Sequence, residues 1–241
     1  GDHRDLHSFP TRRSSDLDQG YVCDIQAPCF QSLLPGEAEL IRLSKTQVMF
    51  RKDDNLTKQG AFTSYVLYII TGWAKQYLEG DGNRNINLRI IGPGEFLGLS
   101  AVFVRNSFDT SCVALTECQA ILIEKNAIVK LMAGNGEFGF SIAKRYSVQN
   151  NDLLSIMDKL LYKQMNGRLA GTLLYLDGFR SGDFSIFRLL SRKEIAEFSG
   201  LSTESTIKLL KNFEKEALIR LDEKEIRLLN LHALEEISRK G

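Results

Sequence analysis

The chain has 241 residues, of which 43% are hydrophobic and 25% charged, and this suits two average domains with buried cores. Its 31 Lys and Arg residues nearly balance its 30 Asp and Glu residues, and the net charge of +1 excludes a polybasic arm and an acidic tail. Four cysteines are too few for a disulfide scaffold, and no apolar run approaches the roughly 20 residues of a membrane span. We therefore expect a cytoplasmic protein with reduced thiols and no membrane contact.

Residues 1–17 differ from the rest of the chain. They mix Pro10, Arg12 and Ser14 with no hydrophobic period, and the string SFPTRRSSDL (8–17) resembles translated sequencing-adapter sequence. We interpret this segment as a disordered or artefactual lead-in and assign no function to its residues.

The segment 18–136 has the composition of a β-rich domain. None of the four prolines lies beyond Pro93, and glycines separate short runs of β-branched and aromatic residues, as turns separate strands. Asp81-Gly82 is a strong hairpin signal. Several short strands at this spacing predict a jelly roll, or double-stranded β-helix, in an α+β protein. The predicted strands are 46–51, 65–71, 73–79, 85–91, 110–115 and 120–124.

After residue 136 the hydrophobic period becomes that of a helix. Over 137–165, apolar residues recur at alternating spacings of four and three, the pattern of a coiled-coil seam. We interpret this segment as a dimerisation helix with Gln149 as a polar register residue. Packing of the helix on its own β-domain, with Met157 and Leu161 on a second face, is the alternative. The predicted seam consists of Ile142, Tyr146, Gln149, Leu153, Ile156 and Leu160.

Residues 190–214 carry the most informative pattern. Ser191 followed by Glu194 is a capping box, which starts a helix by satisfying free backbone N–H groups. Gly200 can adopt the positive φ of a tight turn, and Ser202 can cap a second helix. Two short helices around a glycine turn predict a helix-turn-helix.

A wing is predicted directly after the second helix. The runs LIRL (218–221) and IRLL (226–229) flank the polar stretch 222–225, as two strands flank a hairpin turn. The segment 166–241 is therefore predicted to be a winged helix-turn-helix domain that binds double-stranded DNA.

The second helix presents polar side chains on its outward face. In a helix-turn-helix protein the N-terminal part of this helix enters the major groove. There Glu204 could accept a hydrogen bond from cytosine N4, and Lys208 could donate to guanine O6 or N7. A solvated polar face of an ordinary amphipathic helix is the alternative. The predicted DNA-binding residues are Ser202, Thr203, Glu204, Ser205, Lys208, Lys211 and Arg192.

These features together resemble the Crp/Fnr family of bacterial transcription regulators, particularly the Fnr-like regulators of the Bacteroidota. The resemblance covers about residues 20–240 and is most specific in IIGPGEFLGLSAVF (90–103), in LSRKEIAEFSGLSTESTIKLLKNF (190–213) and in the wing that begins ALIRL. It implies a β-roll sensor domain and a homodimer on a palindromic operator, with RNA polymerase as a further partner. Two departures concern Lys208, where the family more often has Arg, and Thr206, where it usually has Val or Ile.

The cyclic-nucleotide branch of the family implies an effector pocket in the segment 92–111. Its ribose-binding Glu is replaced here by Leu99, and Asp109-Thr110 stand where an Arg-Ser pair contacts the cyclic phosphate. Arg105 has the wrong spacing to substitute, so we expect no cAMP binding by the usual contacts. The implied pocket comprises Gly94, Glu95, Phe96, Gly98, Leu99, Ser100, Asp109 and Thr110.

The oxygen-sensing branch implies an iron–sulfur cluster on four cysteines. Cys23 and Cys29 match two of the three clustered ligands, but the third position is Gly20, and neither Cys112 nor Cys118 aligns with the fourth. No histidine occurs between residues 18 and 231, which argues against haem and against a metal-dependent jelly-roll enzyme. We expect no cofactor, no metal and no enzymatic activity.

A different class of protein remains open. The segment 167–241 has 13 basic and 12 acidic residues, so its net charge does not indicate binding to nucleic acid. The alternative is a ligand-binding or redox-sensing interaction module whose helical tail contacts protein rather than DNA. A cupin-type enzyme ranks third.

Overall fold

The computed structural model describes residues 28–241 with the exception of Arg105. The predicted lead-in 1–17 lies outside the described residues, and the predicted domain boundaries stay predictions. The chain divides into two compact units. The first comprises the described residues up to Ala74 together with Ile90–Ser147, and the second comprises Lys75–Arg89 and Val148–Gly241.

The N-terminal half is a β-roll. Its strands are β1 (Lys45–Phe50), β2 (Asn55–Thr57), β3 (Tyr65–Thr71), β4 (Ala74–Leu78), β5 (Ile86–Ile91), β6 (Phe96–Leu97), β7 (Ser111–Ala114) and β8 (Cys118–Glu124). Within the described residues these eight strands form two four-stranded sheets, ordered β1-β8-β3-β6 and β2-β7-β4-β5. The predicted jelly roll is confirmed, and each predicted strand corresponds to an observed one.

The strands that the sequence missed are short. β2 has three residues and β6 has two, too few to show an alternating pattern. The predicted strand 120–124 begins two residues earlier, at Cys118, and pairs with β1 and β3 on its two sides. The predicted two-residue turn at Asp81-Gly82 is instead part of a 3-10 turn, Asp81–Asn83.

Alternation along the strands separates two apolar clusters. Leu67 and Ile69 of β3 belong to the cluster inside the roll, while Val66 and Tyr68 belong to the cluster on the other face of the sheet. Helices cover that second cluster, which is why the strand residues of both faces are buried. The helices concerned are α1 (Pro28–Gln31), α2 (Pro35–Leu43), α3 (Ser100–Phe103) and α4 (Lys125–Gly134).

A 27-residue helix, α5 (Gly136–Tyr162), follows α4 and confirms the predicted long helix. Its first turns pack into the first unit's own core through Phe138 and Ile142, both fully buried. Ile142 therefore does not support the seam interpretation, because its burial in the core of the first unit already explains its apolar character. Farther along the helix, Tyr146 and Leu153 of the predicted seam are exposed.

The C-terminal part contains the predicted helix-turn-helix and wing. A further helix precedes the helix-turn-helix, a short 3-10 helix spans Ile186–Leu189, and a last helix follows the wing; the sequence patterns above did not predict the last two. The elements are α6 (Met165–Asp177), α7 (Arg192–Ser199), α8 (Thr203–Lys215), β9 (Ile219–Asp222), β10 (Glu225–Leu228) and α9 (Leu231–Lys240). Within the described part of the chain, no helix is both long and apolar enough to cross a membrane.

Candidate nucleic-acid interface

The first helix of the helix-turn-helix begins and ends as its sequence dictates. The backbone N–H of Ser191 donates to Glu194 Oε2 over 2.7 Å, and the backbone N–H of Glu194 donates to Ser191 Oγ over 3.2 Å. This reciprocal pair is the predicted capping box. The helix ends at Gly200 with a φ of +61°, where an added Cβ would lie 2.4 Å from Leu160 Cδ2. The turn therefore needs glycine for its backbone, and an added Cβ would also require the Leu160 side chain to shift.

The second helix, α8, is fixed by a serine cap and by its buried face. The backbone N–H of Ser205 donates to Ser202 Oγ over 3.1 Å, and the two hydroxyls are 2.9 Å apart. Thr206, Leu210 and Phe213 are buried on the inner side of the helix. Ser202 therefore caps the helix as predicted, and Ser205 donates to that cap, a structural role that the sequence did not indicate.

The outward face of α8 carries polar side chains whose functional groups are exposed. Thr203, Glu204, Lys208 and Lys211 are all exposed. Within the part of the chain that the structure describes, no ion pair or side-chain hydrogen bond engages the two lysines or Glu204. The exposed carboxylate and the two ammonium groups remain available to an external ligand. Four of the seven predicted residues therefore share one open surface.

Arg192 has a different environment from the other predicted residues. Its Nη2 donates to the backbone carbonyl of Glu223, 2.7 Å away in the wing turn, and burial lowers the pKa of the guanidinium. Nη1 of the same side chain is buried with no hydrogen-bond partner among the described residues. This places Arg192 as a support between the start of α7 and the wing.

The wing itself presents two arginines that were not among the predicted DNA-binding residues. In the antiparallel hairpin of β9 and β10, Arg220 lies directly opposite Arg227, and both are exposed. Like charges at opposite positions of a strand pair destabilise it, so the pairing has a cost that an anion would remove. The signal was the arginine in each half of LIRL and IRLL.

A buried carboxylate anchors the wing. Glu225 Oε1 accepts hydrogen bonds from Arg180 Nη2 at 3.0 Å and Ser185 Oγ at 2.8 Å, and Oε2 accepts one from Arg188 Nε at 2.7 Å. Burial alone would raise the pKa of Glu225, but the hydrogen bonds from Ser185, Arg180 and Arg188 outweigh it and lower the pKa. The partners lie 37 to 45 residues away in sequence, so no local pattern indicated them.

Lys159 of α5 supports the end of α7. Its ammonium donates to the carbonyl of Phe198 over 3.1 Å and to Thr172 Oγ1 over 3.3 Å. Burial lowers the pKa of this lysine from 10.5 to about 8. The last turn of α7, and with it the turn to α8, is therefore held by a partly buried cation.

The predicted effector-pocket residues fall into different environments. Leu99 and Phe96 are buried in the helix-covered apolar cluster, whereas Asp109 is exposed to solvent. The carbonyl of Gly94 accepts a hydrogen bond from Arg145 Nη1 at 2.9 Å. The remaining members are placed as follows: Glu95 Oε2 accepts from the backbone of Gly92, Gly98 takes a φ of +81°, Ser100 begins α3, and the Thr110 carbonyl accepts from Thr57. Arg105 lies outside the described residues.

The cysteines that the structure describes are buried thiols. Cys112 and Cys118 lie inside the roll, and burial raises the pKa of Cys118. Cys23 and the side chain of Cys29 lie outside the described residues. Among the residues described, no three His, Cys, Asp or Glu side chains are grouped so that they could hold a metal ion.

Comparison with known proteins agrees with this architecture. A family model for the cyclic nucleotide-binding domain matches residues 47–135, and one for the Crp-like helix-turn-helix domain matches residues 167–237. The CRP-like cAMP-activated global transcriptional regulator of Mycobacterium tuberculosis is 25% identical over 209 residues, which cover 83% of this chain and 92% of the relative. The anaerobic regulatory protein of Bacillus subtilis is 25% identical over 191 residues, covering 77% of this chain and 80% of the relative.

Solved structures share the fold. FixK2 from Bradyrhizobium japonicum matches with a TM-score of 0.72 and 19% identity, covering 82% of this chain and 98% of its own. A Crp/Fnr-family transcriptional regulator from Eubacterium rectale matches with a TM-score of 0.75 and 18% identity, covering 88% of this chain and 98% of its own. With a cyclic nucleotide-binding-type roll and a Crp-like helix-turn-helix in this order, the chain belongs to the Crp/Fnr family of transcription regulators.

Proposed function

We propose that the protein acts as a homodimer on a palindromic DNA operator, and that an effector in the β-roll changes its affinity for that operator. The observation that carries the proposal is the outward face of α8, whose charged groups are unpaired within the described residues while the opposite face is buried. Regulators of this family bind DNA and typically act as dimers. The protein acts in this proposal by binding alone, without catalysis.

Base recognition would come from the first two turns of α8. Glu204 is suited to accept from cytosine N4, and Lys208 to donate to guanine O6 or N7. A lysine makes one point contact where an arginine makes two, so selectivity at that base pair is lower. Lys211, one turn later, would contact a phosphate. Ser202 and Ser205 contribute through the cap.

The wing would contact the DNA backbone. The opposed side chains of Arg220 and Arg227 repel each other in the free protein, and a phosphate between them would relieve that repulsion. Such contacts add affinity but carry no sequence information. Arg192 would then affect binding indirectly, through the wing turn that it supports.

Dimerisation would use the second half of α5. Leu153 of the predicted seam is exposed there. Met157 and Leu161, which the sequence placed on the second face of the helix, are exposed as well, as is Tyr162. An exposed apolar stripe on a long helix favours a partner helix. Two-fold symmetry would place the two recognition helices about one DNA turn apart, roughly 34 Å.

The effector in this proposal is not cAMP held by the usual contacts. The position expected to hold the ribose is the buried, apolar Leu99, and the position expected to hold the phosphate carries the exposed carboxylate of Asp109. A carboxylate repels a phosphate, so neither residue favours a cyclic nucleotide.

Gel-shift titrations on the protein's own promoter region test the DNA-binding part. We expect Lys208→Ala to weaken binding by about 1–3 kcal/mol and to relax selectivity at one base pair, and Arg220→Ala to weaken binding on all sequences and lower the salt slope by about 1. Lys215→Ala, an exposed lysine on the last turn of α8, is the matched control. Equal effects of Lys208→Ala and Lys215→Ala would contradict the proposed reading face. An absence of sequence-selective binding would instead favour the protein-interaction alternative.

A further inference from the structure

The interior of the β-roll contains a cavity. It has a volume of about 240 Å³ and lies between β1, β2, β3, β8 and the segment 62–65. Protein interiors seldom leave voids larger than a water molecule, so a space of this size in an otherwise packed roll is unusual. Leu56, Leu67 and Phe108 form part of its wall.

One residue of the central strand shows that the cavity reaches the middle of the sheet. β8 is flanked on both sides, and its Ile121 and Ile123 are buried on the helix-covered face. On the inner face Ala120 is fully buried, whereas Leu122, two residues later and opposite Leu67, is only half-buried. Leu122 lines the cavity, and its residual exposure is the surface that the cavity leaves open.

Backbone hydrogen bonds join the segment 60–63 to the segment 106–108, and each segment contributes to the cavity wall. The N–H of Gly60 donates to the carbonyl of Phe108 over 2.8 Å, and the N–H of Phe108 donates to the carbonyl of Ala61 over 3.0 Å. A third bond of 3.0 Å joins the N–H of Thr63 to the carbonyl of Asn106. These bonds fix the backbone of the lining residues Thr63 and Phe108.

The chemistry of the wall restricts what could occupy the space. All eleven lining residues are uncharged, and eight of them are Val, Leu, Met or Phe. Burying a charge without a partner is costly, so such a wall excludes phosphates and carboxylates from the interior. None of the eight residues implied for the cyclic-nucleotide pocket lines this cavity. The two sites are therefore separate surfaces of the same roll.

We propose that this cavity binds a small, uncharged and largely apolar molecule of about the size of one substituted aromatic ring. An apolar cavity of roughly 150 Å³ accepts benzene, and the volume of about 240 Å³ leaves room for one or two substituents. The exposed Ser64 and Tyr65 at the rim can offer a hydroxyl to a single polar group of the ligand. The binding site does not depend on the proposed function, but its role as an effector site rests on it.

Titration calorimetry of the full chain tests the site with two matched probes, 4-methylphenol and 4-methylbenzoate. We expect saturable binding of one 4-methylphenol per chain, and at least about tenfold weaker binding of the carboxylate, because the wall holds no cation to pair with it. A lack of saturable binding of 4-methylphenol, or equal affinity for both probes, would overturn the proposal.

Two variants locate the site. Ser64→Trp places a bulky group at the exposed rim, and Leu122→Trp fills the cavity from the half-buried position; both should abolish the 4-methylphenol signal. Val104→Trp adds the same group at an exposed position outside the cavity and should leave the affinity unchanged. Since Ser64 is exposed, its variant keeps the test valid if Leu122→Trp fails to fold. Unchanged affinity in Ser64→Trp would place the ligand elsewhere and overturn the proposal.

Gel shifts with and without 4-methylphenol separate this inference from the proposed function. Probe binding together with a change in DNA affinity supports the cavity as an effector site. Probe binding by a protein that binds no DNA selectively would uphold the cavity site and would count against the proposed regulator function alone.

Discussion

The first unit has apolar clusters on both faces of its sheet and an uncharged cavity inside the roll. The second unit instead has ionised side chains inside its wing and beside its helix ends. The ion pairs of Glu225 and the partly buried ammonium of Lys159 have no counterpart in the cavity wall. An apolar interior can exchange a void for a ligand at small cost. A polar framework has directional bonds, and these hold α8 and the wing in one arrangement.

The comparison predicts that steric changes will dominate in the first unit. Gly72 has a φ of +90°, and an added Cβ would lie 2.2 Å from the carbonyl oxygen of Glu117. We expect Gly72→Ala to lower the free energy of unfolding by about 3 kcal/mol or more, because strain and a backbone clash add. Urea unfolding followed by the fluorescence of Trp73, the single tryptophan of the chain, measures it.

Gly60 supplies the matched control for that experiment. Its φ is +79°, but no atom lies within 4 Å of an added Cβ. Gly60→Ala should therefore cost only the backbone strain, about 1 kcal/mol. Equal losses in the two variants would show that the close approach at Gly72 does not contribute.

Ionic changes should dominate in the second unit. Glu225→Gln removes the charge that Arg180 and Arg188 share, and we expect a loss of about 2 kcal/mol, below the value for a fully buried pair because the Arg188 side chain is 56% exposed. Urea unfolding followed by circular dichroism at 222 nm measures it. Glu216→Gln, at an exposed position, should change the stability by less than about 0.5 kcal/mol.

The free energies of unfolding of the wild type and of Glu225→Gln should also depend differently on pH. The pKa of Glu225 is lower in the folded state than its usual value of 4.5, so its stabilisation is complete above that value. It is lost as the pH falls through the lowered pKa, and Glu225→Gln should lack this acid-induced loss. A parallel acid profile for wild type and variant would contradict the framework role of Glu225.

Lys159 predicts a gain of stability in alkaline solution. Because its folded pKa is about 8 and its usual value 10.5, the unfolded chain binds more protons in that interval. The wild-type free energy of unfolding should therefore rise between pH 8 and 10.5, on the order of 2 kcal/mol, relative to that of Lys159→Met. Identical slopes for the two proteins would place the lysine in a solvated environment instead.

The smallest effect concerns a polar atom on the inner face of α8. Thr206 Oγ1 is buried with no hydrogen-bond partner among the described residues. Thr206→Val should raise the free energy of unfolding by about 1 kcal/mol, because it removes an unsatisfied hydroxyl and keeps the shape. Thr203→Val, on the exposed side of the same helix, serves as the control and should leave stability nearly unchanged. A destabilised Thr206→Val would show that the hydroxyl has a partner.

Helix α8 was predictable because its determinants are local. The Ser191–Glu194 box, the Gly200 turn and the Ser202 cap each act within a few residues, and the spacing of Thr206, Leu210 and Phe213 sets which face is buried. The same argument applies to the strands of the roll, because their β-branched and aromatic residues and the glycines that separate them are local features of the sequence. β2 and β6 were not predicted, because strands of three and two residues are too short to show an alternating hydrophobic pattern.

What each element contacts was decided only by the tertiary structure. Ile142 follows the seam spacing but is buried in the first unit's core, and Arg192 turns to a carbonyl 31 residues away rather than to the outer surface of α8. Period and spacing specify which side of a helix is apolar or polar, because they act between neighbouring turns. They do not specify which distant group meets that side, since that depends on how the chain folds back. The Glu225 anchor and the cavity at Leu122 both arise in this way, from residues that only the folded chain brings together.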